Sequence, residues 1–272
     1  MPDATVPAGD RQSFLGSSLP NVLAKARVGV VGLSGGGSHV VQQLAHIGFL
    51  QYTLYDPQAI EETNLHRLVG GKLSDVDAQT PKVEIARRLV REIRPGVRIE
   101  AVQDLWQNNP EPLRRCDLIF GCVDTFAARR ELEVLSRRYR IPYVDIGMDV
   151  TVIPGEPPRM AGQVILSAPD GPCMFCMGYL NESLLTREAA RYGDVGGRPQ
   201  VVWANGVLAS TAVGMALDQL TGWTGPNEQP RFLSFDGNAG SLQSDPRWTF
   251  RGKGPCVHYS TADLGDPRPG HI

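Results

Sequence analysis

The chain has 272 residues, 42% of them hydrophobic and 21% charged, with a formal net charge of −2. That size and balance suit a soluble globular protein with a sizeable core, and they offer no electrostatic basis for holding nucleic acid or an anionic membrane. The opening "MPDATVPAGDRQ" places acids and prolines where a secretory leader needs a basic start and an apolar run. The longest apolar stretch, "GVLASTAVGMALDQL", is broken by Ser, Thr, Gly and Asp, so it reads as a buried helix and not a membrane span. A cytoplasmic protein is the expectation. Five cysteines, sparse and odd in number, argue against a disulfide framework.

In chain order, "RVGVVGL" (27–33) is an apolar run bounded by glycines and predicts a buried parallel strand. A helix follows, with Val40, Val41, Leu44 and Ile47 at helical spacing and Gly48 as its stop. "YTLYD" (52–56) reads as a second strand. Thr80 and Pro81 read as the cap and first turn of a helix whose apolar face is Val83, Ala86, Leu89, Val90 and Ile93. "VRIEAV" (97–102), "DLIFGCVD" (117–124) and "IPYVDIGM" (141–148) are further strands. Between the last two lies a helix with Ala128, Leu132, Leu135 and Tyr139 on one side. Alternating strand and helix predict an α/β, Rossmann-like, doubly wound, mainly parallel sheet. Beyond residue 150, "GQVILSA" and "RFLSFDG" read as strands and 205–220 as a helix, extending the same sheet.

The turn "GLSGGGS" joins the first strand to its helix, and Gly32, Gly35, Gly36 and Gly37 let backbone N–H groups approach a phosphate. Asp56, ending the second strand, stands where a carboxylate meets ribose hydroxyls. The pair indicates a nucleotide without saying which, and Ser34 replaces the middle glycine of the usual dinucleotide pattern. The loop "IEETNLHRLVGG" favours a triphosphate over a nicotinamide cofactor. Arg67 can fork onto phosphate oxygens, Asn64 adds a polar contact, and Lys82 stands in a first helical turn that already favours an anion. Asp124 ends the fourth strand, at the edge where ligands bind in such sheets, and could hold Mg²⁺. An NAD(P)-linked oxidoreductase on the same glycine turn is one alternative. A non-catalytic, zinc-stabilised nucleotide-binding module is another.

The ordered set "GLSGGGS", Asp56, "TNLHR", "TPKVEIARRL" and "GCVDTFAARREL" resembles the adenylation domain of the ubiquitin-activating-enzyme superfamily, whose bacterial members are the ThiF- and MoeB-type adenylyltransferases. The resemblance spans residues 25–260, leaving an arm at 1–24 and a tail at 261–272. It implies that ATP is taken with Mg²⁺, and that the C-terminal glycine carboxylate of a small ubiquitin-fold or sulfur-carrier protein becomes an acyl-adenylate. It assigns Asp56 to the ribose, Asn64, Arg67 and Lys82 to the phosphates, and Asp124 to the metal. It also implies a homodimer in which an N-terminal arginine, here Arg11, completes the partner's site. A crossover segment at about 177–204 would lie over the carrier's tail, with Arg191 and Arg198 as contacts.

Cys173 and Cys176 stand in C-x-x-C spacing, which lets both thiolates meet one tetrahedral metal. The resemblance implies a second C-x-x-C near the C-terminus, but this chain offers Cys256 and then His258. A Cys₃His zinc site follows as the expectation, with His258 as its least secure ligand. No cysteine lies between Cys176 and Cys256, where relatives carry an acyl- or sulfur-accepting thiol. Cys116 and Cys122 read as small core residues.

Overall fold

Strands buried on both faces need no polar alternation, and the apolar runs of the N-terminal half take up that role side by side. The computed structural model describes residues 11–190, 199–226, 229–251, 256–259 and 264–265. Among them, β1 (Arg27–Val31), β2 (Gln51–Tyr55), β3 (Arg98–Val102), β4 (Leu118–Gly121) and β5 (Tyr143–Thr151) pair in parallel, in the order β3-β2-β1-β4-β5. Val30 of β1 sits between Leu54 and Phe120 of its two neighbours. Strand order reverses between the parallel neighbours β1 and β4, which opens a crevice at their carboxyl ends.

The sheet then continues antiparallel. β5 is long enough to pair with β6 (Arg159–Ser167) over nine residues, and β7 (Phe232–Asp236) and β8 (Ser241–Ser244) complete an eight-stranded sheet. This agrees with the expectation that the second half extends the first.

Helices cover both faces. On one lie α1 (Leu19–Lys25), α2 (Gly35–Ile47), α4 (Lys82–Ile93) and α8 (Val202–Thr221), sharing a core of Val40, Leu44, Val83, Val90, Leu208 and Ala212 with the sheet. On the other lie α5 (Glu111–Arg114) and α6 (Phe126–Tyr139), packed with Met174, Met177 and Leu180 against Tyr55, Ile119, Tyr143 and Phe232. The short helices α3 (Leu73–Asp77), α7 (Glu182–Ala190) and α9 (Pro246–Arg251) lie in the connections. Gly48 takes a left-handed conformation and ends α2, its N–H donating to the Leu44 carbonyl.

Two local expectations are corrected. α4 starts at Lys82, with Pro81 and not Thr80 at the cap position. Pro81 is held extended because the chain there bridges to Ala59 and the Lys82 N–H donates to the Gln58 carbonyl. The buried side of α6 is also not the apolar stripe expected: Arg129, Glu133, Ser136 and Arg137 are buried beside Leu132 and Leu135, while Ala128 and Tyr139 are only half-buried. Each buried polar group there is partnered, as burial demands. Arg129 pairs with Asp145 at 3.0 Å, and Arg137 donates to Ser167 Oγ and to the carbonyls of Gly171 and Pro172. Glu133 accepts from Ser167 Oγ and the Met174 N–H.

Candidate active site

The glycine turn closes over the end of β4. Gly32 has φ +86°, and a Cβ there would lie 2.4 Å from the Cys122 carbonyl oxygen, so both conformation and space require glycine. At Gly37 a Cβ would meet the Gly32 carbonyl itself. Ser34 is the N-cap of α2 but makes no capping hydrogen bond, which leaves the N–H groups of the first turn free to face a ligand. Their partial positive charge adds to the helix dipole, and a thirteen-residue helix presents it at full strength.

Asp56 stands beside this turn at the end of β2. Its Oδ2 accepts from the Leu33 N–H at 2.8 Å and its Oδ1 from the Gln58 N–H at 2.9 Å, which fixes the carboxylate with lone pairs left over. Burial pushes its pKa up from the ordinary carboxylate value. Lys82 and the two backbone donors oppose that shift, and the nearby Asp124 adds to it. Lys82 is itself buried in the first turn of α4, its Nζ donating to Gln58 Oε1 at 2.7 Å. A buried ammonium beside a buried carboxylate, at the mouth of an anion-binding turn, is an arrangement to receive phosphate.

The 60–71 loop is built, not floppy. Asn64 is buried and its Oδ1 accepts from the Glu61 N–H, stapling a 3-10 turn at Glu62–Asn64. Arg67 Nη1 donates to the Thr63 carbonyl at 2.9 Å, while its Nε is buried without a partner. Ser38 ties the loop to α2, donating to the Gly35 carbonyl and accepting from the Val69 N–H. Ile60, Leu68 and Ile85 pack beneath it, and Arg88 holds both oxygens of Asp75 at 2.7 Å while donating to the Gly70 carbonyl.

Asp124 is exposed at the end of β4 and accepts from Gln200 Nε2 at 3.4 Å. Thr125 caps α6 by accepting from the Ala128 N–H, and Glu188 of α7 accepts from the N–H groups of Phe126 and Ala127, both at 2.9 Å. The structure thus brings Gly32, Gly35, Gly37, Asp56, Lys82 and Asp124 to one sheet edge, with Asn64 and Arg67 on the loop beside it. Arg11 lies elsewhere: it is exposed in the turn before Ser13–Leu15, and no hydrogen bond or ion pair joins it to this cluster among the described residues. Arg191 and Arg198 lie outside the described residues.

Sequence reasoning missed Gln58, Ser38, Gln200 and the Arg129–Asp145 pair. A lone acid inside the apolar strand "YVDIG" was a signal for the last of these, since an isolated buried carboxylate demands a partner. Tyr143 Oη and Gln163 Nε2 also donate to Asp145, and Gln163 reaches Tyr179.

A second cluster forms where the C-x-x-C loop meets the C-terminal segment. The ligand atoms of Cys173, Cys176, Cys256 and His258 all lie within 4.8 Å of one another. Cys173 Sγ is 3.6 Å from Cys176 Sγ, and His258 Nδ1 is 3.4 Å and 3.2 Å from the two sulfurs. Cys176 Sγ is 3.8 Å from Cys256 Sγ. Tetrahedral zinc with bonds of about 2.3 Å to sulfur requires sulfurs about 3.8 Å apart, so this donor set fits in both chemistry and spacing. His258 therefore takes a place in the cluster despite its irregular spacing. Cys116 is buried in the core, which pushes its thiol up to about 12. Cys122 lies against the glycine turn with its thiol also pushed up by burial. Neither is poised as a nucleophile.

With this geometry in hand, comparison with known families is decisive: the model of the ThiF family matches residues 10–250. The chain belongs to the ThiF family. Among curated relatives, the SAMP-activating enzyme E1 of Haloferax volcanii is 32% identical over 157 residues, covering 57% of this chain and 54% of that one. The molybdopterin-synthase adenylyltransferase of Escherichia coli K12 is 32% identical over 169 residues, covering 60% of this chain and 64% of that one. The chain thus spans between half and two thirds of the length of these relatives. Among solved structures, the microcin C7 biosynthetic enzyme MccB in complex with N-formylated MccA superposes with a TM-score of 0.72 at 19% identity, covering 92% of this chain and 71% of that one. PaaA gives 0.66 at 16% identity, covering 89% and 85%. These two likenesses concern the fold.

Proposed function

We propose that this ThiF-family chain is an ATP-dependent adenylyltransferase. It activates the C-terminal glycine carboxylate of a small ubiquitin-fold or sulfur-carrier protein as an acyl-adenylate, with residues 25–260 forming the adenylation domain. The observation that carries the reading is the buried Lys82 beside the buried Asp56 at the mouth of the glycine turn. A triphosphate carries more charge than the pyrophosphate of a dinucleotide, and the buried cation and the arginine loop match that extra charge. The relatives named as adenylyltransferase and activating enzyme support the same chemistry.

In this reading Asp56 accepts from the ribose hydroxyls, and Lys82, Arg67 and Asn64 hold the phosphates with the first turn of α2. The carboxylate oxygen of the carrier bonds to the α-phosphorus as the bond to the bridging oxygen breaks, and pyrophosphate leaves with the electron pair. That nucleophile is ionised at neutral pH, so no general base is needed, and the side chains act by alignment and charge neutralisation. Asp124 would hold Mg²⁺, which supplies further neutralisation of phosphate charge. The Cys₃His cluster would hold a structural zinc ion that joins the C-x-x-C loop to the C-terminal segment.

No cysteine stands between Cys176 and Cys256, so the reaction ends at the adenylate or passes the acyl group directly to an acceptor. Arg11 acts in trans within a homodimer. In support, Phe14, three residues after Arg11, forms an exposed edge-to-face aromatic pair with Trp223. A cytoplasmic setting is part of the reading, and no helix of the described residues is long and apolar enough to cross a membrane.

The test is ATP–pyrophosphate exchange with purified ubiquitin-fold proteins ending in glycine. Exchange that disappears when the carrier's terminal carboxylate is amidated supports the proposal. Exchange that persists with the amidated carrier refutes it.

A further inference from the structure

Asn205 is the fourth residue of α8, 4% exposed, and its side-chain Nδ2 is buried with no hydrogen-bond partner. A buried donor left unmade is destabilising, and folded proteins seldom leave one. Its buried neighbours along α8 are Ala204, Leu208 and Ala209, among which an alanine would pack without that cost. The amide is therefore unexplained by packing alone.

Its position explains it. A Cβ on Gly35 would lie 2.3 Å from Asn205 Nδ2 and 2.9 Å from Gln200 Oε1. Glycine at 35 is thus what admits these amides onto the first residue of α2. Ser34 Oγ, one residue earlier, is also buried without a partner. The unpaired groups gathered here can all donate: the free N–H groups of the α2 first turn, the Ser34 hydroxyl and the Asn205 amide. A set of converging donors at the positive end of a helix selects an anionic oxygen acceptor. Gln200, meanwhile, reaches across to Asp124.

We propose that Asn205 contacts the nucleotide: its side-chain amide donates to a phosphate oxygen seated on the N-terminus of α2, so that α8 forms a second wall of the phosphate site. The proposal rests on the ATP reading above. It adds α8, an element that belongs to neither the glycine motif nor the 60–71 loop.

Calorimetric titration of Mg·ATP and of adenosine into the full chain, Asn205→Ala and Asn205→Asp tests it, together with melting of each protein without nucleotide. Hydrogen bonds to charged groups contribute about 1.5–3 kcal/mol, so Asn205→Ala should weaken Mg·ATP by about tenfold to a hundredfold. Asn205→Asp keeps the shape but puts a carboxylate against phosphate, and should weaken it further. Adenosine affinity should be unchanged in both. The melting temperature of nucleotide-free Asn205→Ala should not fall, because an unpartnered donor has been removed. Mg·ATP affinity unchanged within twofold in Asn205→Asp, or adenosine weakened as much as Mg·ATP, overturns the assignment. Failure of the unaltered chain to bind Mg·ATP would instead sink the ATP reading on which it rests.

Discussion

Replacing Arg129 by Met tests how the sheet edge is held together. Arg129 and Asp145 have side chains 8% and 0% exposed, with Nε at 3.0 Å and 3.1 Å from the two carboxylate oxygens and Nη2 near the Ile146 carbonyl. Without the guanidinium, Asp145 keeps two neutral donors, Tyr143 Oη and Gln163 Nε2, but no countercharge. Removing one partner of a buried pair costs about 3–5 kcal/mol, because a charge is left buried alone. An unfolding entropy of about 2.1 cal/mol/K per residue then translates this into a melting temperature lower by about 5–9 °C for a chain of this length. Differential scanning calorimetry of Arg129→Met, Asp145→Asn and the double variant measures it. The double variant should recover at least half of the loss, since the pair is replaced and not broken. A loss under about 1 kcal/mol in Arg129→Met, or strictly additive losses in the double variant, would refute the reasoning.

Three further outcomes follow from the same contacts. Hydrogen bonding from Arg88 holds the Asp75 carboxyl below its ordinary value, so its contribution is present above the unfolded value near 4 and is lost as pH falls below that. Asp75→Asn should therefore flatten the acid limb of a melting-temperature profile below about pH 4 and leave its shape above pH 6 unchanged; an unaltered acid limb counts against the pairing. Glu188→Ala removes the acceptor of the Phe126 and Ala127 N–H groups and should cost about 1 kcal/mol, as loss of a helix cap does. Hydrogen exchange at those two amides should accelerate, and equal protection would refute the contact. Native mass spectrometry should find one zinc ion per chain, reduced in Cys256→Ser and in His258→Ala, with the chelated protein melting several degrees lower; full retention of zinc in His258→Ala would remove that residue from the ligand set.

The inner strands of the parallel half were legible because they are buried on both faces and announce themselves as apolar runs: β1 and β4 could be little else. That Asp56, Lys82 and Asp124 come together was legible for a related reason. Strand-to-helix junctions fix where a residue emerges, so a polar residue at such a junction has a known address. Other features left no such trace. β8, "SLQS", is a short polar edge strand, and α7 has no buried residue, so neither carries a periodic apolar signal. The buried charges of α6 run against the pattern that finds helix faces, because Arg129 and Glu133 are matched by Asp145, Ser167 and Met174 from distant segments. Asn205 sits in a helix that reads as plain core, and the space its amide fills exists only because of a glycine 170 positions earlier.

In the proposed reading the nucleotide held at this edge is ATP, gripped by the 60–71 loop and by Asp124. Calorimetric titration with Mg·ATP, NAD(H) and NADP(H), on the unaltered chain, Arg67→Ala and Asp124→Ala, tests it without any protein partner. Mg·ATP alone should bind, weakened about tenfold or more in each variant. Tight binding of a nicotinamide cofactor, or Mg·ATP affinity untouched by both substitutions, would contradict it.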